Sequence, residues 1–243
     1  MPYKSESAAA VLKRLNTQYY LPAIQRQFIW TQDQIVSLFD SLMRGYPIGS
    51  FLFWQLDNDN RDKWEAYKFI EDATQGGTRN AVAHVDGVND LTLILDGQQR
   101  LTSIQLGLRG AYTAKKKYRR HDDPDAWTKQ RLYIDLLKDP KAESDDGEAG
   151  IRFGFHFFEK LPTNAPGSYW FKVGRILDFD SEDRFYDFTQ EEKEKLPDNT
   201  TKKQIAVFEK NLGRLHRSIW KDDVISYYTE YDQDYDRVLD IFV

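Results

Sequence analysis

Leu93-Ile94-Leu95-Asp96-Gly97-Gln98-Gln99-Arg100-Leu101-Thr102 is the stretch whose reading decides the fold. The apolar run Leu91–Leu95 is short and predicts a buried strand, while Leu101, Ile104, Leu108 and Tyr112 recur at helical spacing and predict a helix. A strand that enters a helix through a glycine leaves free N–H groups and the positive end of the helix dipole at the junction, which favours an anion. Gly97 lets the backbone approach a ligand closely. Asp96 can hold a metal ion or orient water, Gln98 or Gln99 can donate to phosphate or position water, Arg100 can grip phosphate with two donors, and Thr102 adds a hydroxyl. A plainer reading stands beside this one: Asp-Gly is a frequent hairpin turn, and polar residues before a helix are often only caps. Neither a P-loop nor a dinucleotide fingerprint is present.

Working towards the amino terminus, Ser50–Trp54 reads as an apolar strand and Pro47 with Gly49 as a turn. Ile35, Leu38, Phe39, Leu42 and Met43 share one helical face, and Gly45 stops that helix. Thr31 and Gln34 have capping-box spacing, with Trp30 and Ile35 placed as a hydrophobic staple. Tyr19–Leu21 predicts a strand that Pro22 ends, and residues 1–18 hold a short helix around Ala8–Leu12. Between them lies a second polar cluster, where Gln25 and Arg26 can meet the same anion as Arg100 while Trp30 or Phe28 stacks on a base. The alternative is that Arg26 pairs with an acid and the aromatics are core. Residues 56–90 read as a long loop or hairpin.

Downstream, the helix after Gly97 is expected to run on into Lys115-Lys116-Lys117-Tyr118-Arg119-Arg120. That basic run is either a nucleic-acid patch or a solvated helix end. Arg131–Leu137, Ile151–Phe158, Ser168–Val173 and Val224–Tyr228 predict strands. Ile205, Phe208, Leu212, Leu215 and Ile219 predict an amphipathic helix from about Lys202, and Tyr235 starts another. Lys141–Gly150 reads as a surface loop, and the acidic Ile176–Asn199 as a solvated loop with a helical turn. His84, His121, His156 and His216 are scattered without metal-ligand spacing.

Of the 243 residues, 34 are basic and 39 acidic, and the first 120 hold 16 of those bases against 12 of the acids. The positive half is therefore the one that contains both polar clusters. Cysteine is absent, which excludes disulfides, thiol nucleophiles and cysteine metal sites. No apolar run approaches the roughly 20 residues of a membrane span, and the first residues lack a signal-peptide core, so the expectation is a cytoplasmic protein without a membrane partner.

Three motifs in order, L-P-x-x-Q-R-x-F-x-W (Leu21 to Trp30), S-L-x-x-G-Y-P-I-G (Ser41 to Gly49) and L-D-G-Q-Q-R-L-T-S (Leu95 to Ser103), resemble the GmrSD-type restriction proteins, whose amino-terminal domain belongs to the ParB/sulfiredoxin-like superfamily. The resemblance anchors residues 19–106. It implies an α+β fold: a ParB/sulfiredoxin-like mixed sheet with surrounding helices over residues 1–120, followed by an α/β extension of the same domain over 121–243. It also implies a domain that binds and hydrolyses a nucleoside triphosphate with Mg²⁺, regulating a modification-dependent defence against phage. The motifs do not separate GTP, ATP and UTP.

On this reading Asp96, Gln98, Gln99 and Arg100 are catalytic, with Asp96 on the metal. Gln25, Arg26, Trp30, Gly97, Arg100 and Thr102 bind nucleotide. The implied partners are an HNH-type nuclease domain or subunit and, through the whole assembly, DNA; a homo-oligomer is compatible. Val238–Val243 resembles a segment that in the family leads into an R-x-N-x-x-G motif, so the expectation is an amino-terminal fragment, and no HNH motif is present. Two other readings are a non-catalytic ParB-like DNA-binding or modified-DNA-sensing module using Lys115, Lys116, Lys117, Arg119 and Arg120, and a scaffold in a toxin or defence complex.

Overall fold

In the computed structural model, which describes residues 3–24, 27–116, 118–120, 122–142, 150–163, 166–234 and 238, the strand before Gly97 is the pivot. This strand, β6 in chain order (Thr92–Asp96), is buried from Thr92 to Leu95. It is apolar on both faces because it separates two cores. Leu93 and Leu95 pack with Tyr20, Trp54, Leu56 and Ala66, while Ile94 joins the main core. It lies parallel to β2 (Tyr19–Pro22) and antiparallel to β3 (Ser50–Gln55). With β1 (Lys4–Glu6), β4 (Ala66–Tyr67) and β11 (Ile225–Glu230), they form a six-stranded mixed sheet in the order β1-β11-β3-β6-β2-β4.

A second mixed sheet of five strands holds β5 (Asp72–Thr74), β7 (Ala111–Lys115), β8 (Trp127–Asp135), β9 (Gly154–Phe158) and β10 (Trp170–Lys172). The class is therefore α+β. Both sheets draw strands from both sides of residue 120. β11 sits between β1 and β3, and β5 and β7 join the strands of the second half.

The helices α1 (Ala8–Arg14), α2 (Gln32–Arg44), α3 (Gln98–Leu108) and α5 (Lys202–Trp220) share the main core with both sheets. α2 is fixed at both ends. The Thr31–Gln34 capping box is present, and Gly45 closes the helix in the left-handed conformation. Arg214 of α5 donates to the carbonyls of Met43 and Leu42 at 2.5 and 3.0 Å and pairs with Asp222. Midway along α2, the buried carboxylate of Asp40 accepts the N–H groups of Arg152 and Phe153 at 2.9 and 2.8 Å, which docks the approach to β9.

Three expectations are corrected. α3 ends at Leu108 rather than running through Tyr112 into the basic residues. A side chain at Gly110 would overlap the Glu71 carbonyl, and Ala111 N–H donates to that carbonyl, so the chain leaves the helix to pair β7 with β5. The four-residue step from Leu108 to Tyr112 imitates a helix because Tyr112 enters the same core from a strand. Residues 56–90 hold a 3₁₀ turn at Arg61–Lys63 and the strands β4 and β5 rather than one loop or hairpin.

The acidic segment after Ile176 contains a 13-residue helix, α4 (Glu182–Glu194). It buries Phe188 together with Glu192, whose carboxylate takes the Tyr169 hydroxyl at 2.8 Å and pairs with Lys195 and Arg175 at 2.6 and 3.3 Å. An acid stands where a helical face usually has an apolar residue, so hydrophobic spacing misses the helix. Residues 143–149 and the expected helix from Tyr235, apart from Val238, lie outside the described residues.

Two outcomes follow from this packing. Asp40→Ala leaves two N–H groups without their acceptor and is expected to destabilise the fold by about 2–4 kcal/mol in urea denaturation. His216 in α5 stacks on Phe185 of α4 at 3.9 Å and donates through Nε2 to the Phe179 carbonyl at 2.8 Å. Burial pushes its pKa below the ordinary 6.5; the Phe179 carbonyl opposes that shift and Lys221 adds to it. The unfolded chain therefore binds the proton first as pH falls. Stability is expected to be complete above about pH 6.5 and to decline as pH drops towards the folded value. Urea midpoints at pH 7.5 and 5 should show this, and His216→Gln should reduce the difference.

Candidate functional site

The site begins with one backbone angle. Gly97 sits at φ 89°, in the left-handed region, and a side chain there would overlap the Phe51 ring of β3. Glycine therefore lets β6 turn directly into α3 with β3 closely packed beneath. Gly97 offers no side-chain cap, and no described residue accepts the N–H groups of Gln98, Gln99 and Arg100. These donors and the helix dipole point out of the end of α3.

The side chains that follow build the surrounding wall. Gln98 folds back and donates its amide to the Ile94 and Leu95 carbonyls at 2.9 and 3.2 Å. Gln99 brackets the earlier motif, accepting from Ile29 N–H and donating to the Gln27 carbonyl, both at 3.1 Å. Arg100 lies over the Phe51 ring at 4.4 Å and donates to the carbonyls of Ile48 and Ser50 at 2.5 and 2.9 Å. It also meets Asp96 Oδ2 at 3.2 Å. These contacts use three of the five guanidinium donors, leaving two for a ligand. Gly49, at φ 85°, is needed for this arrangement because a side chain there would overlap the guanidinium.

Beside Arg100 lies an open cleft of about 340 Å³, lined by Trp30, Gln34, Ser37, Leu38, Ser41, Pro47, Ile48 and Arg100. Each of the three sequence motifs contributes to it: Trp30 from the first, Ser41, Pro47 and Ile48 from the second, and Arg100 from the third. Gln34 and Ser37 come from the exposed side of α2, and Leu38 from the edge of its buried face. Sequence reasoning gave Gln34 only a capping role and gave Ser37, Ser41 and Ile48 none. The available signal was the distance of Ser37 and Ser41 from the apolar face of α2, one turn apart.

The remaining expected site residues divide into three groups. Asp96 is exposed, with 61% of its side chain accessible, and stands at the mouth of the turn. Thr102 is only 3% exposed and turned into the core, so a ligand in the cleft does not meet its hydroxyl. Gln25, Arg26 and Lys117 lie outside the described residues. Lys115 ends β7, and Lys116, Arg119 and Arg120 are on the β7–β8 connection, all separate from the cleft lining. Arg119 pairs with Asp123 at 3.3 Å, and the Lys115 amine donates to the Arg119 carbonyl at 2.9 Å.

Among the described residues no three His, Cys, Asp or Glu side chains gather as a metal site. Asp96 alone fits a Mg²⁺ that brings most of its ligands as phosphate and water, not an ion caged by protein.

The fold and site define an α+β domain in which Arg100, from the first turn of the helix after a glycine junction, lines a cleft together with α2 and the turn that follows it. The model of the GmrSD restriction endonuclease N-terminal domain matches residues 9–243, and the chain belongs to that family. An uncharacterized protein of Methanocaldococcus jannaschii is 32% identical over 94 residues, covering 39% of this chain and 15% of that protein. The chain thus spans a small part of that relative's length. No described helix is long and apolar enough to cross a membrane.

The geometry makes Gly97→Ala a sharp test of the turn. Left-handed strain and overlap with Phe51 are expected to cost at least about 2 kcal/mol. The measure is the urea midpoint against wild type; an unchanged midpoint would show that the turn relaxes without cost.

Proposed function

We propose that this domain binds and hydrolyses a nucleoside triphosphate, and that its nucleotide state licenses the nuclease of a modification-dependent, anti-phage restriction system. The observation that carries the reading is the convergence of three separate motifs on one cleft at the N-terminus of α3. Membership in a restriction endonuclease family supports the setting. The HNH-type nuclease, as domain or subunit, and the foreign DNA belong to this proposal, as does a cytoplasmic location.

In this mechanism the open N–H groups of Gln98–Arg100 and the two remaining Arg100 donors hold phosphate oxygens. Trp30 stacks on the base, Ser37 offers its hydroxyl to the sugar or base edge, and Ser41, whose hydroxyl donates to the Ser37 carbonyl at 2.9 Å, offers an acceptor there. Asp96 accepts a hydrogen bond from the attacking water and orients it. Water oxygen forms a bond to the γ-phosphorus as the bond to the β–γ bridging oxygen breaks, and the water's proton passes to the released phosphate, giving a nucleoside diphosphate and inorganic phosphate. Asp96 is the residue that would hold a Mg²⁺ arriving with the nucleotide, and the ion would supply charge neutralisation. Arg100 is also a strut, because it fixes the Ile48 and Ser50 carbonyls. Ligand bound to it is thereby coupled to the turn between α2 and β3.

Calorimetric titration with GTP, ATP and UTP in the presence of Mg²⁺ tests the reading. At least one is expected to bind. Trp30→Ala should weaken it roughly tenfold through lost stacking, with the thermal midpoint little changed. Asp96→Asn should retain binding and abolish phosphate release. No heat with any of the three would overturn the proposal.

A further inference from the structure

The second sheet has two chemically different faces. Side chains alternate along β8. Leu132 and Ile134 enter the core with Phe155 and Phe171, and Gln130 accepts from Gln32 of α2 at 2.8 Å. The helices pack on this inner side, where Phe39 of α2 meets Phe155 at 5.7 Å and Leu132 lies against Gly107 of α3. Trp127, Lys129, Arg131 and Tyr133 alternate with these residues and occupy the other face.

Strand register brings matching neighbours onto that outer face. Lys115 is opposite Trp127, Phe158 opposite Arg131, and His156 and Lys172 flank Tyr133. The rings form one connected group: Phe158 lies 4.8 Å from Trp170, 5.9 Å from His156 and 6.0 Å from Tyr133, and His156 lies 5.7 Å from Trp170. Arg131, His156 and Lys172 are exposed. Lys129 on the same face pairs with Asp72 at 2.6 Å. At the hairpin end the face continues into Lys115, Lys116, Arg119 and Arg120 around Tyr118, which is fully exposed at φ 66°.

We infer that this outer face binds single-stranded nucleic acid. Aromatic rings interleaved with cations on a sheet face suit unstacked bases joined by phosphates: the exposed His156 and the half-buried Phe158 and Trp170 take base faces, buried Tyr133 supports them from below, and the cations track the backbone. A duplex keeps its bases stacked and offers the rings nothing, so the aromatic half of the face favours a single strand. The inference is independent of nucleotide hydrolysis because it uses none of the cleft residues.

Fluorescence anisotropy tests it with a labelled oligothymidine of about 20 nucleotides, the 243-residue chain and no added nucleoside triphosphate. A duplex of equal length is the comparator. The single strand is expected to bind more tightly than the duplex, with affinity falling as salt rises. Phe158→Ala should weaken binding roughly tenfold with the salt dependence unchanged. The double change Arg131→Ala with Lys172→Ala should weaken it and lower the log–log salt slope by about 1.4. Should Phe158→Ala fail to fold, the exposed double variant decides. Absence of binding at low salt, equal affinity for duplex, or variants that leave affinity unchanged would overturn the inference and leave the face as packing or a protein contact.

Discussion

Gly97 has a positive φ, and the Phe51 ring occupies the place where any side chain would go. Much else depends on that contact. It lets β6 turn straight into α3 and lets β3 approach closely enough for Arg100 to reach the Ile48 and Ser50 carbonyls. Through Gln99, the same turn holds the segment around Ile29 that leads into α2. The strand–glycine–helix junction is thus the common fixing point of three stretches separated in sequence.

The fold was legible where a single local signal was decisive. β6, the capping box of α2 and the amphipathic α5 stand as the sequence predicts, because burial or capping chemistry sets each of them. It was illegible where a long-range contact decided. α3 stops because Gly110 meets Glu71, far upstream in the chain, and α4 forms because partners from elsewhere satisfy a buried Glu192. Neither cause leaves a periodic trace.

The candidate site shows the same division. Gly97 and Arg100 stand out in the sequence because their types suit an anion at a helix start, and Asp96 because a carboxylate suits a metal ion or water. Their framework roles could not be read, because Gln98, Gln99 and Arg100 spend hydrogen bonds on backbone groups that only the tertiary fold brings near. Thr102 is close to Arg100 in sequence, yet two residues of helix carry it to the opposite side, into the core. Ser37 and Ser41 carry no sequence mark of a ligand, because polar residues are ordinary away from the apolar face of an amphipathic helix. A ligand that binds this framework would also load the connections to α2 and β3, a physical route from the cleft to the rest of the domain.

Hydrogen exchange read by mass spectrometry, with and without a magnesium nucleotide, tests the central claim most directly. The account predicts slowed exchange in peptides covering Ile29–Trp30, Ser37–Ile48 and Gln98–Arg100 together, since one cleft joins them. Slowing confined to another region, or no change in any of the three, would contradict it.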